Sequence, residues 1–121
     1  MATVEIRKIN KFYGNTQALF DVDLEVADGE FVVFVGPSGC GKSTLLRTLA
    51  GLEAIDTGTV TIGGKDVSQA EPADRDVSMV FQSYALYPHM SVRQNMEFGM
   101  KVNGVDPAER TQRINEAARI L

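Results

Sequence analysis

The residues Gly36-Pro37-Ser38-Gly39-Cys40-Gly41-Lys42-Ser43-Thr44 have the types and the spacing that a polyphosphate needs. Glycines stand at the first and sixth places and Lys-Ser follows at once, which is the G-x-x-x-x-G-K-[ST] arrangement of a phosphate-binding loop. Such a loop turns several backbone N–H groups toward anionic oxygens, and Gly39 and Gly41 permit backbone positions that a Cβ would obstruct. A helix opening near Lys42 adds the partial positive charge of its N-terminus. Lys42 is the candidate contact to the β- and γ-phosphates, and a charged hydrogen bond of that kind contributes about 1.5–3 kcal/mol. Ser43 offers a hydroxyl to Mg²⁺ and Thr44 one to the phosphates, so Ser38 through Thr44 form the candidate cofactor-binding run.

The flanks supply the elements that such a loop requires. An apolar run, Phe31 to Val35, leads in and reads as a strand buried on both faces. A helical pattern leads out, with Leu45, Leu46, Leu49 and Leu52 on one face and Gly51 placed as a C-cap. Upstream, Thr3 to Tyr13 reads as a strand with Val4, Ile6 and Ile9 inward, and Gly14-Asn15 is a turn signal. Val22, Leu24 and Val26 then alternate with Asp21, Asp23 and Glu25, as in a strand with one wet face, and Asp28-Gly29 predicts a hairpin to the Phe31 run. Downstream, Thr59 to Ile62 and Lys65 to Ser68 flank Gly63-Gly64 as a second hairpin, and Val77 to Phe81 is a short strand ending at Gln82. Ser83 to Met90 is an unusually apolar loop. Ser91 and Gln94 form a capping box for a helix bearing Val92, Met96 and Met100. Asp106, Pro107 and Glu109 open a last helix with Ile114, Ala117, Ala118 and Leu121 on its apolar face.

The 121 residues are enough for one domain that buries roughly two-thirds of its unfolded surface. The apolar and charged contents, 44% and 23%, are those of a soluble globular protein. A net charge of −4 with no clustered Lys and Arg argues against a nucleic-acid partner. The single cysteine, Cys40, leaves no intramolecular disulfide possible. With no signal peptide and no apolar run near 18 residues, the expectation is a cytoplasmic protein without direct membrane insertion. His89 has no Cys or second His nearby with which to build a metal site.

Two stretches, FVVFVGPSGCGKSTLLRTLAGL from Phe31 and VFQSYALYPHMSVRQNMEFG from Val80, resemble the nucleotide-binding subunits of ATP-binding cassette transporters. They are most similar to the ATPases of bacterial sugar, polyol and glycerol-phosphate importers, and the likeness extends over the whole chain. It implies an α/β P-loop NTPase core with a mostly parallel sheet, an antiparallel β element and the start of a helical subdomain, divided as 1–87 and 88–121. It implies ATP and Mg²⁺ as cofactors and ATP hydrolysis coupled to solute import as the activity. Tyr13 stands where the family stacks an aromatic ring on adenine, with Ala18 beside the base; the lesser alternative for Tyr13 is an edge-strand packing group. Gln82 matches the glutamine that reaches Mg²⁺ and the attacking water, giving Lys42 and Gln82 as the catalytic candidates; read alone, Gln82 is a strand cap. Ser83 to Met90 resembles the surface that docks transmembrane permease subunits, which would hold the protein peripherally at the inner face of the cell membrane.

The family pattern continues with a Leu-Ser-Gly-Gly-Gln signature, an apolar strand ending in Asp-Glu and a switch histidine, none of which occurs in these 121 residues. The chain therefore reads as the N-terminal portion of such a subunit, inactive as an ATPase by itself. A second ATPase subunit would supply the signature in the full-length protein. Two other readings stay open: another P-loop enzyme such as a GTPase or small-molecule kinase, and a non-hydrolysing nucleotide-binding or docking piece. Asn10-Lys11 lies too early, and lacks the following Asp, to be a guanine-reading motif.

Overall fold

A computed structural model describes residues 1–83 and 85–121; Tyr84, one of the residues of the apolar loop, lies outside the described residues. The chain forms two compact units, Met1–Met79 and Val80–Leu121. Backbone groups of Tyr87 are tied to the second unit by the side chain of Asn95, which accepts from the Tyr87 N–H at 2.8 Å and donates to its carbonyl at 3.2 Å.

The first unit is built on an antiparallel hairpin, β1 (Val4–Tyr13) and β2 (Thr16–Val26), turned at Gly14-Asn15. Helix α1 (Lys42–Ala50) follows, then β3 (Thr57–Ile62), β4 (Lys65–Asp66) and a short 3₁₀ turn at Pro72–Asp74. The four strands pair antiparallel in the order β2-β1-β3-β4. Ile6, Ile9, Leu19, Val60 and Val67 form the core, and Leu45 and Leu49 of α1 pack against it. Leu46 and Leu52, expected on the same face, remain exposed.

Strict alternation would send Ile6 and Ile9 to opposite faces, yet both are buried. A bulge reconciles them. The β1–β2 register shifts between these residues, and Lys8 takes φ +50°, turning its N–H to Asp23 Oδ1 at 2.9 Å. Asp21, at φ +43°, donates its N–H to Asn10 Oδ1, while Asn10 Nδ2 donates to Asp21 Oδ1, both at 2.9 Å. The Asn10 side chain thus satisfies backbone and side-chain groups that the irregular ladder leaves unpaired. Asp21, Asp23 and Glu25 face outward and Val22, Leu24 and Val26 inward, as their alternation predicts.

The expected parallel strands are absent from the described residues. Phe31 to Val35 forms no strand, and Phe31 and Val35 are 90% and 89% exposed, so the reading of a run buried on both faces is corrected. The Asp28-Gly29 turn is present, with the Glu30 N–H donating to the Ala27 carbonyl at 3.1 Å, but no second arm pairs with β2. Val77 to Phe81 is likewise not a strand. Apolar sequence makes a segment eligible for a buried strand; hydrogen-bond partners on its edges make it one. Neither segment finds such partners here.

In the second unit, α2 (Val92–Val102) starts at the expected capping box. Ser91 Oγ accepts from the Gln94 N–H at 3.1 Å, and Gln94 Oε1 accepts from the Ser91 N–H at 2.8 Å. Helix α3 (Pro107–Ile120) starts at Pro107 after Asp106, whose side chain makes no capping bond. Its apolar face is narrower than the sequence predicts: Ile114 is buried and Ala117 half-buried, while Ala118 and Leu121 are exposed.

Candidate functional site

Helix α1 begins where the glycine-rich loop ends. Its N-cap, Gly41, sits at φ +94°, and Gly39 at φ +83°. A Cβ on Gly41 would lie 2.9 Å from the Ala18 carbonyl oxygen and 3.3 Å from Leu19 Cδ2. Gly41 is therefore required twice, by its left-handed backbone and by the close passage of β2. This contact seats the loop against the hairpin and places Ala18 beside it.

Within the loop the Lys42 ammonium turns back on the chain. It donates to the carbonyls of Gly36 and of Pro37, the latter at 2.9 Å, and lies 3.7 Å from Cys40 Sγ. Ser38 and Gly39 form a tight turn in the loop ahead of the helix. The N–H groups of Lys42, Ser43 and Thr44 belong to the first turn of α1, which has no intrahelical acceptors for them. A cation together with the free N–H groups of a helix start is what a polyphosphate requires. Ser43 is exposed, and it lines with Lys42, Val26, Val33, Phe34 and Leu46 an open cavity of 510 Å³. Cys40 is exposed as well.

The far end of α1 is equally well defined. Gly51, at φ +83°, donates its N–H to the Thr48 carbonyl at 3.2 Å, and the Leu52 N–H reaches the Arg47 carbonyl at 2.9 Å. Arg75, only 5% exposed, lies directly on this cap. The sequence reading missed Arg75; a single arginine after a short turn carries no pattern that separates it from a surface residue.

Tyr13 closes β1 opposite Thr16 and is 45% exposed, with Lys11 Nζ 5.1 Å from its ring centroid. Ala18 lies on β2 shortly after Thr16, so the aromatic ring and the loop contact belong to one end of the same hairpin. Gln82 is exposed and belongs to the second unit, outside any strand. Its reading as a strand cap is corrected, because the strand it would end is not formed. In the loop that follows, Leu86 and Tyr87 are 70% and 47% exposed. The Tyr87 ring lies 5.1 Å from Phe98 and 6.0 Å from His89.

A family model described as ABC transporter matches residues 19–121. The chain belongs to the ABC transporter family. It is 59% identical over its full length to the sn-glycerol-3-phosphate import ATP-binding protein UgpC 3 of Rhizobium johnstonii, covering 35% of that protein. It is 57% identical over its full length to the maltose/maltodextrin import ATP-binding protein MalK of Mannheimia succiniciproducens, covering 32% of it. The chain thus spans about a third of the length of these curated relatives. Among solved structures it resembles a nucleotide-free ATP-binding cassette from an ABC transporter, with 30% identity, a TM-score of 0.76 and coverage of 91% of this chain and 45% of that one. It also resembles the cassette MJ0796 in a dimeric post-hydrolysis state bound to ADP and Pi, with 29% identity, a TM-score of 0.78 and coverage of 93% and 54%. These cassettes share the P-loop NTPase fold, and the α/β class expected for this chain holds. Among the described residues no helix is long and apolar enough to cross a membrane.

Proposed function

We propose that the chain binds ATP through the loop Gly36 to Thr44, as the nucleotide-binding portion of an ATPase that powers solute import. The observation that carries this reading is the Lys42 ammonium folded back on the carbonyls of the glycine-rich loop at the start of α1, whose first-turn N–H groups have no intrahelical acceptors. Lys42 would exchange its two carbonyl partners for β- and γ-phosphate oxygens, and Thr44 would donate to the phosphates. Tyr13 would stack on adenine beside Ala18, an interaction worth about 1–3 kcal/mol in comparable base–aromatic pairs. The identity to import ATP-binding proteins supports a sugar, polyol or glycerol-phosphate as the solute.

For Mg²⁺ the donors present are oxygens only, as a hard cation prefers: the exposed Ser43 hydroxyl and, by the family pattern, the Gln82 amide. No group of three His, Cys, Asp or Glu that could hold a metal occurs among the described residues. The ion would take its remaining ligands from nucleotide phosphates and water. When bound, it neutralises charge that develops on the phosphoryl oxygens. Ser43 would hold one of its positions, and Gln82, by the family pattern, would orient the attacking water.

The residues Ser83 to Met90 would dock a permease subunit, with Leu86 and Tyr87 as exposed apolar anchors. This partner, rather than a spanning helix, would keep the protein at the inner face of the membrane. A second ATPase subunit would supply the Leu-Ser-Gly-Gly-Gln signature, which these 121 residues do not contain; they also do not contain the Asp-Glu strand end. Alone, the chain binds nucleotide and turns it over little.

Calorimetry with ATP tests the reading. Lys42→Ala removes the cation and should weaken binding by about tenfold or more, whereas Cys40→Ala should leave it nearly unchanged. Equal losses would remove Lys42 from the phosphate site. Displacement of ATP by equimolar GTP would favour a guanine-nucleotide enzyme, and sustained ATPase turnover by the isolated chain would contradict its inactivity.

A further inference from the structure

The cap on the far end of α1 does more than close a helix. Arg75 is buried, and its guanidinium donates to four carbonyls: Nη1 to Thr48 at 2.9 Å and Leu49 at 3.3 Å, Nε to Ala70 at 3.0 Å, and Nη2 to Ser68 at 3.4 Å. Two of these acceptors, Thr48 and Leu49, belong to the last turn of α1, where Thr48 also accepts from the Gly51 cap. The other two lie in the segment that follows β4. A planar fork with five donors suits such convergence, and a cation at the carbonyl end of a helix opposes the negative pole of its dipole. Burial holds the guanidinium below its usual value, partly offset by Glu71, yet arginine remains charged at any ordinary pH.

Gly51 makes room for this arrangement. A Cβ there would stand 2.7 Å from Arg75 Nε and 3.1 Å from Cζ. The side chain of Thr48, 1% exposed, turns inward and donates to the Leu45 carbonyl at 2.7 Å, so the helix end has no slack beside the fork.

We propose that Arg75 is a positioning residue for the phosphate loop: by fixing the carbonyl end of α1 it sets where Lys42 and Ser43 stand at the other end. This rests on the reading of Gly36 to Thr44 as the nucleotide site. The mechanism is leverage. Helix α1 has nine residues and is about 13 Å long, so a tilt of roughly 5° at the Arg75 end displaces the Lys42 end by about 1 Å. Phosphate hydrogen bonds tolerate little of that, since they weaken steeply with distance and angle.

The test uses Arg75→Lys in the whole chain, which keeps the charge and loses the fork, and Gly51→Ala, which keeps the arginine and displaces it. Three quantities are measured: the melting temperature, the affinity for ATP and for inorganic tripolyphosphate, and the amide resonances of Gly39 to Ser43 without any ligand. In folded Arg75→Lys both affinities should fall about tenfold, and the loop amides should shift although no substituted atom touches them. A folded variant with a lower melting temperature but unchanged affinities and unmoved loop amides would overturn the proposal, leaving Arg75 a stabilising residue only. Should Arg75→Lys not fold, Gly51→Ala is judged by the same outcomes. If the wild-type chain binds neither probe, the nucleotide reading fails, and the loop amides alone still decide whether Arg75 positions the loop.

Discussion

Gly41 is the joint between the phosphate loop and the hairpin, and Gly41→Ala should damage the protein in a way that Gly39→Ala does not. Both glycines lie at positive φ, +94° and +83°, so either substitution incurs the left-handed penalty of about 1–2 kcal/mol. At Gly39 that is the whole cost, because nothing lies within 4 Å of an added Cβ. At Gly41 the new Cβ meets the Ala18 carbonyl oxygen at 2.9 Å, and the backbone of β2 must retreat by about 0.5 Å to restore ordinary contact. Ala18 adjoins Leu19, a core residue only 4% exposed, so the retreat strains the packing and adds roughly 1–3 kcal/mol. Gly41→Ala should therefore lose about 2–5 kcal/mol in all, and the difference between the two variants isolates the clash. Urea denaturation followed by far-ultraviolet circular dichroism measures both, with the slope compared to confirm one transition. If the two variants lose stability equally, within about 0.5 kcal/mol, the loop is not seated against β2 as described.

Three further outcomes follow from the same geometry. Ile9→Ala, at a core position that is 0% exposed, should cost about 2–5 kcal/mol in the same urea experiment; a loss under 1 kcal/mol would mean that the bulge at Lys8 does not turn Ile9 inward. Asp66 accepts from Ser68 Oγ at 2.6 Å and from the Ser68 N–H at 2.9 Å, which holds its carboxyl below the usual value. A depressed folded pKa contributes stability above the unfolded value, near 3.9, that is lost as the pH falls through the folded one, so the advantage of wild type over Asp66→Asn should be full at neutral pH and shrink below about pH 4. A gap in denaturation midpoints that stays constant to pH 2 would contradict this. Ser91→Ala breaks the capping box and should cost α2 about 0.5–2 kcal/mol, read as faster hydrogen exchange at Gln94 and Asn95; unchanged exchange would count against the cap.

Features governed by neighbours in the chain were legible from the residues alone. The loop Gly36 to Thr44 leading into α1, the Gly51 cap, the Ser91–Gln94 box and the turn at Gly63-Gly64 all occur where their residue types predict them. The reason is that caps and tight turns are satisfied within a few residues, so their chemistry is written in adjacent side chains. Tertiary structure decided the rest. Phe31 to Val35 has the composition of a central strand and is exposed, because strand formation depends on partners that composition does not name. Ile6 and Ile9 share the core only through a bulge whose polar groups are met from another strand, by Asp23 and Asp21. Arg75 reads as an ordinary charged residue until the fold brings the end of α1 and the segment after β4 to one guanidinium. The sequence by itself determined the residue types and spacing of the proposed phosphate loop. Its placement is a tertiary matter, since Ala18 fixes the loop from one side and Arg75 the helix from the other, through contacts between residues 23 and 27 positions apart.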